Sequence, residues 1–139
     1  VSNAQATAIT QRELAKVVLP ADGSFMGNWQ EGQKIANSGQ GGQFSDNDKT
    51  FRGGNCYACH QLDPKELSYG TLGPSLKAYG KDRKFGAEEI KAAYIKIYNS
   101  QAVAACSNMP RFGHVGLLDE KQIANVMALL LDPKSPVNQ

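Results

Sequence analysis

Apolar residues recur at helical spacing most clearly near the end of this chain. Ile123, Val126, Met127, Leu130 and Leu131 form one stripe. Asp119 and Gln122 stand where a capping box would open that helix, Leu118 and Ile123 can staple it, and Asp132-Pro133 ends it. A second stripe joins Ile90, Ala93, Tyr94, Ile97 and Tyr98 behind an acidic start, Glu88-Glu89, which suits the helix dipole.

Earlier in the chain the signals are shorter. Thr10 and Glu13 have capping-box spacing with Ile9 and Leu14 as a staple, predicting a helix over residues 11–19 that Pro20 stops. Residues 21–27 read as a loop, and Asn28 with Glu31 opens a second helix that Gly39 closes. The glycine-rich stretch 38–48 reads as a surface loop. Between residues 62 and 85, Pro64, Gly70, Gly73, Pro74 and Gly80 deny any long element. No strand alternation and no internal repeat appear, so the predicted fold is mainly α with long connections.

Composition narrows the function classes. The 139 residues have the length of one domain, and a net charge of +2 from 15 basic and 13 acidic residues leaves no polybasic run for nucleic acid or anionic lipid. No stretch approaches the roughly 20 apolar residues of a membrane span, so no membrane insertion is expected. Val1 is followed by no leader pattern, as expected of a chain already processed if it is exported.

The chemistry sits in Cys56-Tyr57-Ala58-Cys59-His60. Two thiols at this spacing can meet two vinyl groups while the adjacent imidazole reaches iron, which is the attachment pattern of a c-type haem. A redox Cys-x-x-Cys would want thioredoxin-like strands, and a zinc site would want two more ligands. Only Cys106 and His114 remain for zinc, eight residues apart across a proline.

Met26, Met109, Met127, His114 and Cys106 are the candidates for a second axial ligand. Met127 lies on a packing stripe, and Met26 precedes the attachment motif. Met109 is followed by Pro110, which holds it in extended backbone suited to presenting a thioether from a loop, and it is the favoured ligand. His114 would give a bis-histidine haem of lower potential. Cys106 reads either as a buried small apolar residue or as a thiol facing a partner. Arg83, Lys81 and Arg111 are possible partners of haem propionates, and Trp29, Tyr57, Tyr79, Phe85 and Phe112 are expected to wrap the porphyrin.

The order of helix, attachment motif, Gly/Pro-rich stretch, ligand loop and closing helix resembles the class I cytochromes c. The resemblance implies that fold around one covalent haem c with His60 and Met109 as axial ligands. It also assigns Pro74, in Gly73-Pro74-Ser75-Leu76, the carbonyl that receives the second nitrogen of His60. From about residue 32 onward, a set of more specific pieces looks like the SoxX family, the monohaem subunits of SoxAX cytochromes. They are Gly54-Asn55 before the motif and Gln61 after it, Gly70-Thr71-Leu72-Gly73-Pro74-Ser75-Leu76, Tyr79-Gly80, Met109-Pro110-Arg111-Phe112-Gly113 and Leu131-Asp132-Pro133-Lys134-Ser135-Pro136-Val137-Asn138. Cys106 is outside that pattern.

The SoxX resemblance implies a periplasmic heterodimer with a larger haem-bearing SoxA-like subunit. In it, the catalytic haem on the partner joins thiosulfate to a cysteine of the carrier SoxYZ, an L-cysteine S-thiosulfotransferase reaction. The present chain would accept the electrons and pass them to a small cytochrome c. Residues 1–27, which precede the stretch carrying the resemblance, are expected to form an N-terminal helical extension that packs on the partner, and residues 28–139 the cytochrome domain. The alternative is a free periplasmic electron shuttle. Either way, attachment of haem c happens outside the cytoplasmic membrane.

Overall fold

A computed structural model describes all residues from Val1 to Gln139. Five α-helices appear in chain order: α1 Asn3–Leu14, α2 Trp29–Asn37, α3 Tyr79–Asp82, α4 Ala87–Tyr98 and α5 Glu120–Leu131. Short 3-10 turns occur at Cys56–Ala58, Ser100–Ala102 and Pro136–Asn138, and there are no strands.

The last helix forms for the reasons visible in its sequence. Asp119 accepts from Gln122 N–H at 2.8 Å, and the Gln122 side-chain oxygen accepts from Asp119 N–H at 2.9 Å. Its stripe is buried, with Met127 and Ile123 fully so, and each such side chain contributes about 1.5–3 kcal/mol by leaving water. Helix α2, capped by Asn28 through Glu31 N–H, lies against α5. The two backbones meet at Gly32, where a Cβ would stand 2.7 Å from the Asn125 carbonyl carbon, so this crossing admits glycine alone. The stripe of α4 contributes Ala93, Tyr94 and Ile97 to the same core.

The first helix departs from expectation at both ends. Its capping box is Ser2 with Gln5, not Thr10 with Glu13, because nothing between residues 3 and 9 breaks the earlier start. Thr10 lies inside the helix and donates to the Thr7 carbonyl. The helix stops at Leu14 rather than residue 19, since Val17 and Val18 are β-branched and Leu19 precedes proline. Residues 15–27 then cross the body as turns and irregular chain, where the Val18 carbonyl accepts from Tyr94 Oη at 3.2 Å and Gly27 N–H donates to the Ala124 carbonyl at 2.9 Å. Burial pushes the Tyr94 phenol up to about 12, so it stays a donor at any ordinary pH.

The glycine-rich loop after α2 and the wrapping stretch after the Cys pair form as expected, the latter broken by the single turn of α3. The end of the chain holds α3 in place. Asn138, buried, accepts from Gly80 and Lys81 N–H at 3.0 and 3.1 Å and donates to the carbonyls of Leu130 and Asp132, both at 3.0 Å. No helix is long and apolar enough to cross a membrane.

Candidate haem site

Cys56 to His60 wind through one 3-10 turn, entered through Asn55 at φ 50°, a left-handed conformation that asparagine tolerates. Cys59 and His60 N–H both donate to the Cys56 carbonyl, at 3.1 and 2.9 Å, so the motif is a rigid unit. Gly70 N–H bonds to the Tyr57 carbonyl at 2.7 Å and Gly73 N–H to that of Cys59 at 2.8 Å, laying the following loop along the motif.

That loop fixes the imidazole. His60 Nδ1 is 2.7 Å from the Pro74 carbonyl oxygen, which makes it the protonated nitrogen and leaves Nε2 with its lone pair free for a metal. Gly73 lets the ring lie so close, because a Cβ there would stand 2.6 Å from Nδ1 and 2.7 Å from Nε2.

Cys56, Cys59, His60, Gly73 and Pro74 line one cleft of about 380 Å³, and Met109 with Pro110 and Phe112 lines it from the other loop. Residues separated by some fifty positions are thereby brought to one place. The Met109 loop is held at several points. Its carbonyl accepts from Ser100 Oγ at 2.5 Å, its N–H donates to Ser107 Oγ at 3.3 Å, and Gly113 and His114 N–H both donate to the Tyr98 carbonyl at 3.1 Å.

The other candidates for an axial ligand do not reach this cleft. Met127 is fully buried in the core, Met26 packs against that core, and His114 is half-buried outside the cleft lining. Cys106 is exposed at φ 59°, which corrects the reading of it as a buried apolar residue. Of the five aromatics expected to wrap a porphyrin, Phe112 alone lines the cleft. Tyr57 turns away because its hydroxyl accepts from Asp63 N–H at 3.1 Å and Gln33 Nε2 at 3.2 Å. Tyr79 lies 3.7 Å beneath the Arg83 guanidinium, and Arg83 also meets Glu89 at 3.7 Å, so that arginine too is engaged elsewhere. Arg111 reaches Glu13, and Lys81 is absent from the lining.

Two lining residues were given no individual role by the sequence. Lys96, on the flank of the α4 stripe, borders the cleft with its ammonium pushed below the usual lysine range by desolvation. Leu72, 74% exposed, forms part of the rim.

The donor set fits a thioether-bound haem and argues against thiol exchange. Burial pushes the Cys56 thiol up to about 12, whereas a redox Cys-x-x-Cys works through a thiol held low. No further Cys, His or acid joins the pair as a zinc site would require. The cleft is mostly apolar, with one imidazole and one thioether among its walls, which matches a flat hydrophobic macrocycle carrying a metal at its centre.

Comparison with known proteins points the same way. The family model for cytochrome c matches residues 29–133. An "Uncharacterized lipoprotein" of Aquifex aeolicus (strain VF5) is 38% identical over an alignment of 132 residues that covers 90% of this chain and 59% of that relative. The chain thus spans about three fifths of that relative's length. Among solved structures, SoxXA from P. pantotrophus matches with a TM-score of 0.58 and 25% identity, over 86% of this chain and 91% of that one. The family implies a covalently bound haem c and the mainly α class I fold described above. By sequence over most of its length and by fold, the chain belongs to the cytochrome c family, as a SoxX-like member.

Proposed function

We propose that this chain is the electron-accepting monohaem subunit of a periplasmic complex that joins thiosulfate oxidatively to a carrier cysteine. One observation carries the redox part: the attachment motif and Met109 share a single cleft, with His60 oriented by Pro74. Cys56 and Cys59 would hold the haem as thioethers, and His60 and Met109 would be its axial ligands. Haem c supplies one-electron chemistry. The protein's part is to set its potential, which a methionine raises, and to leave no open position for substrate. Lys96 is placed to pair a propionate at the cleft border.

The complex is argued from the likeness to SoxXA. The partner would be a larger, SoxA-like haem subunit bearing the catalytic site, with SoxYZ as sulfur carrier and a small cytochrome c as acceptor. The outer side of the N-terminal segment, residues 1–27, supports this reading. Leu14, Val18 and Leu19 remain exposed there, Val18 by 62%, and are apolar surface suited to a partner. Likeness to a lipoprotein fits a location outside the cytoplasm.

Two measurements test the proposal. The ferric protein should show the weak far-red methionine-to-iron band, and its ferrous form should refuse carbon monoxide; a carbon monoxide complex would refute the closed coordination sphere. Size-exclusion chromatography of native material should show a second haem chain travelling with this one, and a strict monomer would favour the free electron shuttle.

A further inference from the structure

Glu13 is the only buried residue of α1, with its side chain 2% exposed. A carboxylate is costly to bury and needs partners. Its two oxygens divide them. Oε1 receives Arg12 Nε at 3.2 Å and Lys16 Nζ at 3.0 Å, both from its own helical end. Oε2 receives Asn99 Nδ2 at 3.0 Å and Arg111 Nη1 at 3.3 Å, from segments 86 and 98 residues away.

Both of those distant partners lead to the same place. Asn99, fully buried, precedes Ser100, whose hydroxyl donates to the Met109 carbonyl. Arg111 follows Met109 by two residues, across Pro110, whose ring fixes φ and transmits any shift of the arginine to the methionine backbone. One carboxylate oxygen thus meets the methionine loop directly at Arg111 and, at Asn99, the segment whose Ser100 donates to the Met109 carbonyl.

We propose that Glu13 is a positioning residue for Met109, holding the loop so that the thioether stays on the iron. This rests on the reading of Met109 as an axial ligand. The carboxylate oxygen that meets Arg111 also meets Asn99, the neighbour of the serine that donates to the Met109 carbonyl. Loss of the Glu13 carboxylate leaves the Asn99 amide its bond to the Glu13 backbone carbonyl at 3.4 Å, and leaves the segment after α1 its Tyr94 bond at Val18, but frees Arg111, and the loop gains states in which the thioether is withdrawn.

The experiment uses the full haem-loaded chain and three variants: Glu13→Gln, Arg111→Leu and the double variant. Ferric protein is titrated with imidazole while the far-red band is followed, and amide exchange is measured over residues 107–113. In Glu13→Gln imidazole should displace the thioether at about tenfold lower concentration, because its apparent affinity tracks the fraction of open loop. The loop amides should exchange faster. Arg111→Leu, at a partly exposed site, should behave alike, and the double variant should add nothing further. A lower melting temperature with unchanged imidazole affinity and exchange would overturn the proposal. A far-red band missing from the unsubstituted protein would overturn the ligand assignment first, and the proposal with it.

Discussion

The Pro74 carbonyl stands 2.7 Å from His60 Nδ1, and the residue beside it, Gly73, has no room for a side chain against the same ring. Gly73→Ala forces the imidazole aside. The expected outcome is a strain of about 1–3 kcal/mol, a lower yield of haem-loaded protein and altered g-values in the ferric electron paramagnetic resonance spectrum. An unaltered spectrum at full yield would mean that the ring is held by something other than this contact.

The two methionines of the second half separate cleanly. Met109→Ala should abolish the far-red band, open the ferrous iron to carbon monoxide and lower the potential. Met127→Ala removes a fully buried side chain from α5 and should cost about 2–5 kcal/mol while leaving the band in place. Denaturant midpoints and ferric spectra of the two variants decide the matter; the reverse pattern would reassign the ligand.

Acid should act through Glu13. The Asn99 amide and then Lys16 hold its carboxyl well below the ordinary 4.5, at about 2, against the opposing effect of burial. Its folded value lies below its unfolded one, so its stabilisation is complete above pH 4.5 and is lost as pH falls from 4.5 to 2. The charges facing it are Arg12 and Lys16 on its own segment and Arg111 on the methionine loop. Glu13→Gln should therefore be less stable than the parent at neutral pH, with the difference shrinking through that window. Acid unfolding curves that stay parallel would contradict the assignment.

Gly32→Ala places a methyl group into the α5 backbone at Asn125 and should separate the two helices. A loss of about 1–3 kcal/mol or more is expected by urea unfolding. Asn138→Ala leaves Gly80 and Lys81 N–H without their acceptor and should cost about 1–3 kcal/mol, with α3 the first element to exchange its amides.

The α4 and α5 stripes, and the residues at 56–60 and 109 that meet in one cleft, were legible because each stands in a short-range pattern. The boundaries of α1 were not, since Ser2-Gln5 and Thr10-Glu13 fit the same box and nothing between residues 3 and 9 breaks the earlier start. The aromatic shell was misread for a related reason. Tyr57 and Tyr79 have the right composition for a porphyrin wall, but their orientation is set by Asp63, Gln33 and Arg83, which no local pattern announces. Lys96 lies in the cleft by virtue of helix rotation, a quantity the stripe of α4 defines only for its apolar side.

The buried carboxylate of α1 and the buried amide of residue 138 both lie outside the stretch 29–133 that the cytochrome c family shares. A gene trimmed to that stretch would retain every lining residue of the cleft and discard the amide that holds α3 and the carboxylate that meets Arg111 of the methionine loop. Such a minimal cytochrome would take up haem yet hold it in a slacker frame. The specific character of this protein is therefore written partly in its margins, where family-level comparison has least to say.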